Sequence, residues 1–273
     1  MPRVSIGDCH LHYERSGAGF PVILVTGLSG VASFWREQVP VLSRAFDVIA
    51  FDHRGVGQSD HSRISYTVER LAADVIGLMD VLGVAKAHFV GHSTGGAIAQ
   101  IIGIEHPARV ASLVIAASWT KADAYFRRLF ALRREILLRL GPSSYVAASS
   151  LFLNAPYFIA QNNEALRQCE AKALATFSPP EIMASRIDAI LAFDRTAELN
   201  RIRAPTLIVA SQDDIVTPAY FSEALARAIP GAEAKFLAQG GHAFPQTSAR
   251  EFNLAIQPFL AAHTPAETRR QSA

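Results

Sequence analysis

The sequence predicts an α/β fold, in which helices flank a mostly parallel central sheet and one helical segment is inserted between two strands. Apolar segments of strand length alternate with amphipathic helical segments, as in a parallel sheet that is buried on both faces. Residues 119–200 have helical character and contain no buried-strand run. A Gly-x-Ser-x-Gly pattern at residues 91–95 also lies between an apolar strand and a helix, a context in which the pattern indicates chemistry.

The first 82 residues supply the opening strands and helices. Residues Val4–Glu14 alternate in polarity around a Gly-Asp turn, which predicts a hairpin. The apolar runs Pro21–Val25 and Asp47–Phe51 predict buried strands, with a helix at residues 34–42 between them. An amphipathic pattern then predicts a helix over Tyr66–Leu82.

The Gly-x-Ser-x-Gly segment predicts a tight strand-to-helix turn that exposes the hydroxyl of Ser93. The apolar run Ala87–Val90 precedes it, and apolar residues at helical spacing follow until Pro107. Gly91 and Gly95 lack a Cβ, so neighbouring backbone can approach closely. We therefore expect Ser93 to be a nucleophile held in a strained turn.

Residues 119–200 are expected to form a helical lid over a core made of residues 1–118 and 201–273. Strand-like runs resume only at Thr206–Ala210 and Ala234–Leu237. An insertion between two parallel strands is expected to cover the carboxyl edge of the sheet, where sites assemble.

A serine nucleophile needs a base, and the base needs an acid to orient it. Among nine histidines, His242 is the best candidate, because it lies in a Gly-rich loop after the last apolar strand. Asp213 and Asp214 both follow the strand at Thr206–Ala210 and are candidates for the acid, of which Asp214 is favoured. Asp213 is expected to be a solvated loop or capping residue, and Asp123 is an outside alternative.

The oxyanion of the transition state needs backbone donors. The N–H of Thr94, which follows the nucleophile, and the N–H of Leu28, in the loop after the first parallel strand, are the expected pair. We also expect Trp119, Phe126 and Phe130 to contact substrate, since they follow the strand at Val110–Ala117. Packing between lid and core is the alternative role for each of these aromatic residues.

Composition excludes several other classes of function. The formal charge of +2 favours neither nucleic acid nor an anionic membrane as a partner. Two distant cysteines, the lack of an apolar signal segment and the lack of an apolar run of membrane-spanning length predict a soluble, cytoplasmic protein. The sequence has no metal-ligand motif and no phosphate loop, so we expect neither a metal nor a cofactor. The expected partner is a small-molecule substrate. A homodimer is compatible with the sequence.

Taken together, these motifs resemble the α/β-hydrolase superfamily over essentially the whole chain. Ser93, Asp214 and His242 occur in the chain order of that superfamily, and residues 52–59 (Asp-His-Arg-Gly-Val-Gly-Gln-Ser) match another of its motifs. Residues 26–30, 118–119, 127–128, 151–153 and 240–243 are similar to the aminoacrylate hydrolases of pyrimidine degradation. The chain has Thr26 where many members of the superfamily have histidine, which leaves the backbone donors in place.

The resemblance implies a cofactor-free hydrolase of a small ester, lactone, amide or enamine-type substrate. Enol-lactone hydrolases and carbon–carbon bond hydrolases share the same motifs and are alternatives. A ligand-sensing protein on a hydrolase scaffold is a third possibility, because function depends on the site and not on the fold.

Overall fold

The computed structural model describes residues 2–265, so the predicted core segment 201–273 extends beyond it. The strands are Arg3–Ser5 (β1), His10–Ser16 (β2), Phe20–Val25 (β3), Phe46–Phe51 (β4), Ala87–His92 (β5), Val110–Ala116 (β6), Thr206–Ser211 (β7) and Glu233–Leu237 (β8). Within the described residues they form one eight-stranded sheet in the order β1-β2-β4-β3-β5-β6-β7-β8. The pairs β1–β2 and β2–β4 are antiparallel and the other neighbours are parallel, which confirms the predicted hairpin and sheet.

Helices lie between the strands, as the alternating pattern predicts. They are Val39–Leu42 (α1), Val68–Val81 (α2), Thr94–Glu105 (α3), Ala124–Glu135 (α4), Gly141–Leu153 (α5), Pro156–Ala175 (α6), Pro180–Ala192 (α7), Ala219–Ala228 (α8), Phe244–Thr247 (α9) and Ala249–Ala262 (α10). The single helix expected at residues 34–42 is wrong: a 3₁₀ turn at Ala32–Trp35 is followed by the separate α1. Pro40 lacks a backbone N–H, so it begins a new helix instead of continuing one.

The core consists of two apolar layers, one on each face of the sheet. Side chains alternate along β3, so that Ile23 and Val25 join one layer while Val22 and Leu24 join the other. All four side chains are fully buried. This alternation explains why the central strands read as continuous apolar runs in the sequence.

The helices α4 to α7 are inserted between β6 and β7, which are neighbours in the sheet. We refer to residues 119–200 as the helical insertion. A π-helical segment at Ile136–Leu140 joins α4 to α5, and Gly141 adopts φ +81° where α5 begins. Residues 124–153 form a continuous helical stretch that is long and apolar enough, by length and composition, to cross a membrane. The expectation that no segment reaches that length is therefore wrong by this criterion, although a single such helix is weak evidence for a membrane span.

Candidate active site

Ser93 lies at the sharp turn between β5 and α3, with φ 56° and ψ −117°. A residue other than glycine rarely adopts a positive φ, and strained backbone of this kind clusters at functional sites. A Cβ at Gly91 would lie 2.3 Å from the Gly95 carbonyl oxygen, and one at Gly95 would lie 2.0 Å from the Val25 carbonyl oxygen. Neither position can hold a side chain, so the predicted tight turn is confirmed.

Hydrogen bonds fix the backbone of Ser93 on both sides. Its N–H donates to the Ala116 carbonyl at 2.8 Å. Its carbonyl accepts from the Gly96 N–H at 2.9 Å and from the Ser118 hydroxyl at 2.9 Å. The contact from Ser118 ties the end of β6 to the turn at Ser93. Sequence reasoning did not give Ser118 this role.

His242 and Asp214 form a buried pair, with 2.8 Å between His242 Nδ1 and Asp214 Oδ2. Asp214 Oδ1 accepts from the N–H groups of Val216 at 2.7 Å and Thr217 at 3.0 Å. The Thr217 hydroxyl donates to Asp214 Oδ2 at 2.8 Å. Because Nδ1 faces the carboxylate, Nε2 on the other edge of the ring is the nitrogen that can take up a proton.

The other acid candidates have different contacts. Asp123 caps α4 by accepting from the Phe126 N–H at 2.8 Å, and it also accepts from the Tyr220 hydroxyl at 2.7 Å. The structure therefore brings together the favoured pair, Asp214 and His242.

Asp213 is not the solvated loop or capping residue expected from the sequence, because it holds the loop that carries His242. Its Oδ1 accepts from the Ser211 hydroxyl at 2.6 Å and from the Gly241 N–H at 2.8 Å, and its Oδ2 accepts from the Gly240 N–H at 3.2 Å. Burial raises the pKa of Asp213, but these hydrogen bonds outweigh it and leave the pKa below its ordinary value. A charged carboxylate thus anchors the backbone just before His242.

His92 also holds the backbone of His242. His92 Nε2 lies 2.9 Å from the His242 carbonyl oxygen, and since a carbonyl only accepts, Nε2 carries the proton. Burial, together with the nearby charge of His242, lowers the pKa of His92 to about 3, so the ring is neutral at pH 7. Sequence reasoning assigned His92 a structural role without this partner.

The loop after β3 runs directly against Ser93. A Cβ at Gly27 would lie 3.1 Å from Ser93 Cβ, so only glycine allows this approach without a shift. Leu28 follows in the same loop. Thr94 is the first residue of α3, and the first N–H groups of a helix have no acceptor within it. The two expected oxyanion donors therefore lie on the two backbone segments that meet at Ser93.

The motif at residues 52–59 supports this loop. His53 Nε2 donates to the Thr26 carbonyl at 3.0 Å, and the Asp52 carboxylate accepts from the Ala32 N–H at 2.7 Å. Burial, with a smaller effect of the Arg186 charge, lowers the pKa of His53 to about 3, so this ring is also neutral. The motif fixes the loop that carries Leu28.

A cavity of about 460 Å³ lies between the helical insertion and the core. Residues of α5 and α6 form much of its wall, with apolar side chains such as Leu166 and polar ones such as Asn162. The core side includes Ser29, next to Leu28, and Ala243, next to His242. The cavity thus reaches the chain neighbours of Leu28 and His242, whereas Ser93, Leu28 and His242 are not among its lining residues.

The aromatic residues expected at the substrate pocket form a buried cluster instead. Trp119 packs on Phe126 at 4.8 Å between ring centroids, and Phe126 packs on Phe130 at 4.5 Å. None of the three lines the 460 Å³ cavity, whereas Phe158 does. Their role as substrate contacts stays a prediction, and their burial favours the packing alternative.

Comparisons with known proteins agree with this fold. The sequence profile of the alpha/beta hydrolase fold matches residues 21–246. A protein of Azorhizobium caulinodans named "Putative carbamate hydrolase RutD" is 40% identical over 259 residues, covering 95% of this chain and 98% of that protein. A protein of the same name from Caulobacter vibrioides is 40% identical over 266 residues, covering 95% and 99% of the two chains.

Solved structures are similar over the same length. The enol-lactonase of Burkholderia xenovorans has a TM-score of 0.89 and 26% identity, covering 95% of this chain and all of that one (100%). A thermophilic esterase of Thermogutta terrifontis has a TM-score of 0.87 and 26% identity, covering 97% and 100%. The chain therefore belongs to the α/β-hydrolase family, resembles the RutD proteins within it, and is a hydrolase.

Proposed function

We propose that Ser93, His242 and Asp214 form a catalytic triad that hydrolyses a small ester, lactone, amide or enamine-type substrate. Two observations carry this proposal: the buried contact of 2.8 Å between His242 Nδ1 and Asp214 Oδ2, and the strained backbone of Ser93, with φ 56°. An acid that is itself hydrogen-bonded can hold the imidazole in the tautomer that accepts a proton at Nε2.

In the proposed mechanism, Ser93 Oγ attacks the substrate carbonyl while His242 Nε2 takes up its proton. The N–H groups of Leu28 and Thr94 stabilise the oxyanion that develops. An enamine-type substrate has no acyl group to transfer, so for that class His242 acts as a base toward water. With an ester, lactone or amide, His242 then protonates the leaving group, and an acyl-enzyme remains on Ser93. Water, deprotonated by His242, hydrolyses that ester and restores the free serine.

The helical insertion acts as a lid in this proposal, and the cavity beneath it binds the substrate. Its volume of about 460 Å³ is within the range of small-molecule sites, about 300–1,000 Å³. A carbamate has only a few heavy atoms and would occupy a small part of that space. We therefore expect the preferred substrate to carry an additional group that fills the apolar part of the cavity.

Within this proposal, hydrolysis of an enol lactone is one reaction that specific observations favour. The size of the cavity and the similarity to an enol-lactonase over 95% of this chain favour it. The same triad can open a lactone, because the alcohol leaving group then stays attached to the acyl group.

A panel of carbamates, short esters, enol lactones and aminoacrylate-type compounds, assayed with wild type and Ser93→Ala, tests the proposal. We expect turnover in at least one class and its loss in Ser93→Ala. Comparable rates for the two proteins on the best substrate would contradict a role of Ser93 as nucleophile.

A further inference from the structure

Arg186, on α7 of the helical insertion, is buried without an acidic partner. Its exposed fraction is 1%, and among the described residues it forms no ion pair. Burial lowers the pKa of Arg186 to about 10, so the guanidinium is still charged at neutral pH. An unpaired buried charge is costly, so the contacts that retain it are informative.

Backbone carbonyls take the place of a carboxylate. Arg186 Nε and Nη2 donate to the Leu28 carbonyl at 3.0 and 2.7 Å, and Nη1 donates to the Arg54 carbonyl at 2.7 Å. The guanidinium also lies 5.5 Å from the centroid of the Tyr66 ring. The planar fork of arginine suits two parallel bonds to one acceptor, and the single ammonium of lysine does not.

These bonds fix the residue that carries the proposed oxyanion donor. The Leu28 carbonyl and the Leu28 N–H belong to adjacent peptide planes joined at one Cα, so holding the first restricts the second. His53 and Asp52 hold other parts of the loop, at Thr26 and Ala32. Arg186 supplies hydrogen bonds to Leu28 from the helical insertion.

We propose that Arg186 is a positioning residue that aligns the Leu28 N–H with the oxyanion and thereby couples the helical insertion to catalysis. This inference rests on the proposed function, since it needs a transition state that carries an oxyanion. The buried positive charge beside the loop also favours the negative charge that develops there.

Variants at Arg186 separate positioning from simple attachment of the insertion. Arg186→Lys keeps the charge and loses the fork, whereas Arg186→Gln keeps donors and loses the charge. Loss of one oxyanion donor lowers kcat about 10²–10³-fold, so a misaligned donor is expected to lower kcat by about 10–100-fold in either variant. KM is expected to change little, because the ground-state carbonyl gains little from the donor.

Arg195→Met is the matched control. Arg195 also links the insertion to the core, through ion pairs with Glu69 and Glu105, and it has no hydrogen bond to the oxyanion loop. We expect this control to lower the melting temperature and leave kcat unchanged.

The deciding readout is the inhibition constant of an alkyl boronic acid, which forms a tetrahedral adduct with a nucleophilic serine. From wild type to each Arg186 variant, the inhibition constant should rise by the same factor by which kcat/KM falls. Circular dichroism and melting temperature show which variants are folded, and the Lys variant can be assayed below its melting temperature. A lowered melting temperature with unchanged kcat and boronate affinity would overturn the inference. An active Ser93→Ala variant would instead overturn the proposed function, so the two failures are distinguishable.

Discussion

Truncation of Trp119 distinguishes a pocket wall from packing between insertion and core. Trp119 is fully buried, and its ring packs on Phe126 and also on Phe193, at 6.0 Å between centroids. Trp119→Ala therefore leaves a large cavity inside the aromatic cluster. The structure predicts a loss of stability, although the position of Trp119 after β6 suggests a substrate contact.

The size of the loss follows from three contributions. Replacement of a buried Trp by Ala typically destabilises by about 3–5 kcal/mol. Each aromatic pair adds about 0.5–1.5 kcal/mol beyond area. Trp119 Nε1 has no hydrogen-bond partner among residues 2–265, so its removal relieves an unsatisfied donor worth about 1–3 kcal/mol, which offsets the lost aromatic pairs. A net loss of about 3–5 kcal/mol corresponds to roughly 6–20 °C, at about 2–4 °C per kcal/mol for a domain of this size class.

The assay combines thermal unfolding with rates on p-nitrophenyl esters of increasing acyl length. Leu132→Ala, at a half-exposed position of the same insertion, is the control and should change neither quantity. Trp119→Ala should lower the melting temperature while the relative rates on different acyl chains stay the same. A changed chain-length profile with little loss of stability would refute the packing role and place Trp119 in the pocket.

The remaining predictions concern the triad and the buried histidines. Ser93→Ala should lower kcat by about 10⁴-fold or more with the fold intact, and a residual rate of about a tenth would indicate direct attack by water. Asp214→Asn should lower kcat by up to ~10⁴-fold, because the amide favours the wrong tautomer of His242. Asp213→Asn should have a much smaller effect, since it loosens the loop without facing the ring; equal losses would contradict this assignment. Three buried histidines stay neutral in the folded protein, with pKa values of about 3: His53, His88 and His92. The unfolded chain protonates its histidines near pH 6.5, so the free energy of unfolding should fall as pH drops from about 6.5 towards 3. Each histidine is expected to lower the free energy of unfolding by up to ~1.4 kcal/mol per pH unit in this range. A melting temperature that does not change between pH 7 and 5 would argue against neutral burial.

The sequence predicted the sheet and the nucleophile turn because both depend on local patterns. A strand buried on both faces must be apolar throughout, as β5 and β6 are. The turn at Ser93 needs glycine on both sides for steric reasons that act within a few residues. The pairing of Asp214 with His242 could also be anticipated, because the carboxyl ends of parallel strands meet at one edge of the sheet.

The supporting contacts could not be predicted in this way. His92 reaches a carbonyl 150 residues along the chain, and Arg186 reaches one 158 residues away. No periodicity in the sequence encodes such pairs, since a buried polar residue shows only that it needs some partner. Trp119 illustrates a related limit: the end of a strand places a residue near the site, but packing decides where its side chain points.

Mass spectrometry of the intact protein and of its peptides shows whether Ser93 carries the acyl group during turnover. Wild type is mixed with a slowly deacylating p-nitrophenyl ester, quenched early, and digested. We expect one acyl group per chain, located on Ser93, and none in Ser93→Ala under the same conditions. Turnover of the ester by wild type with no adduct on Ser93, at times when p-nitrophenol has already been released in a burst, would contradict this expectation.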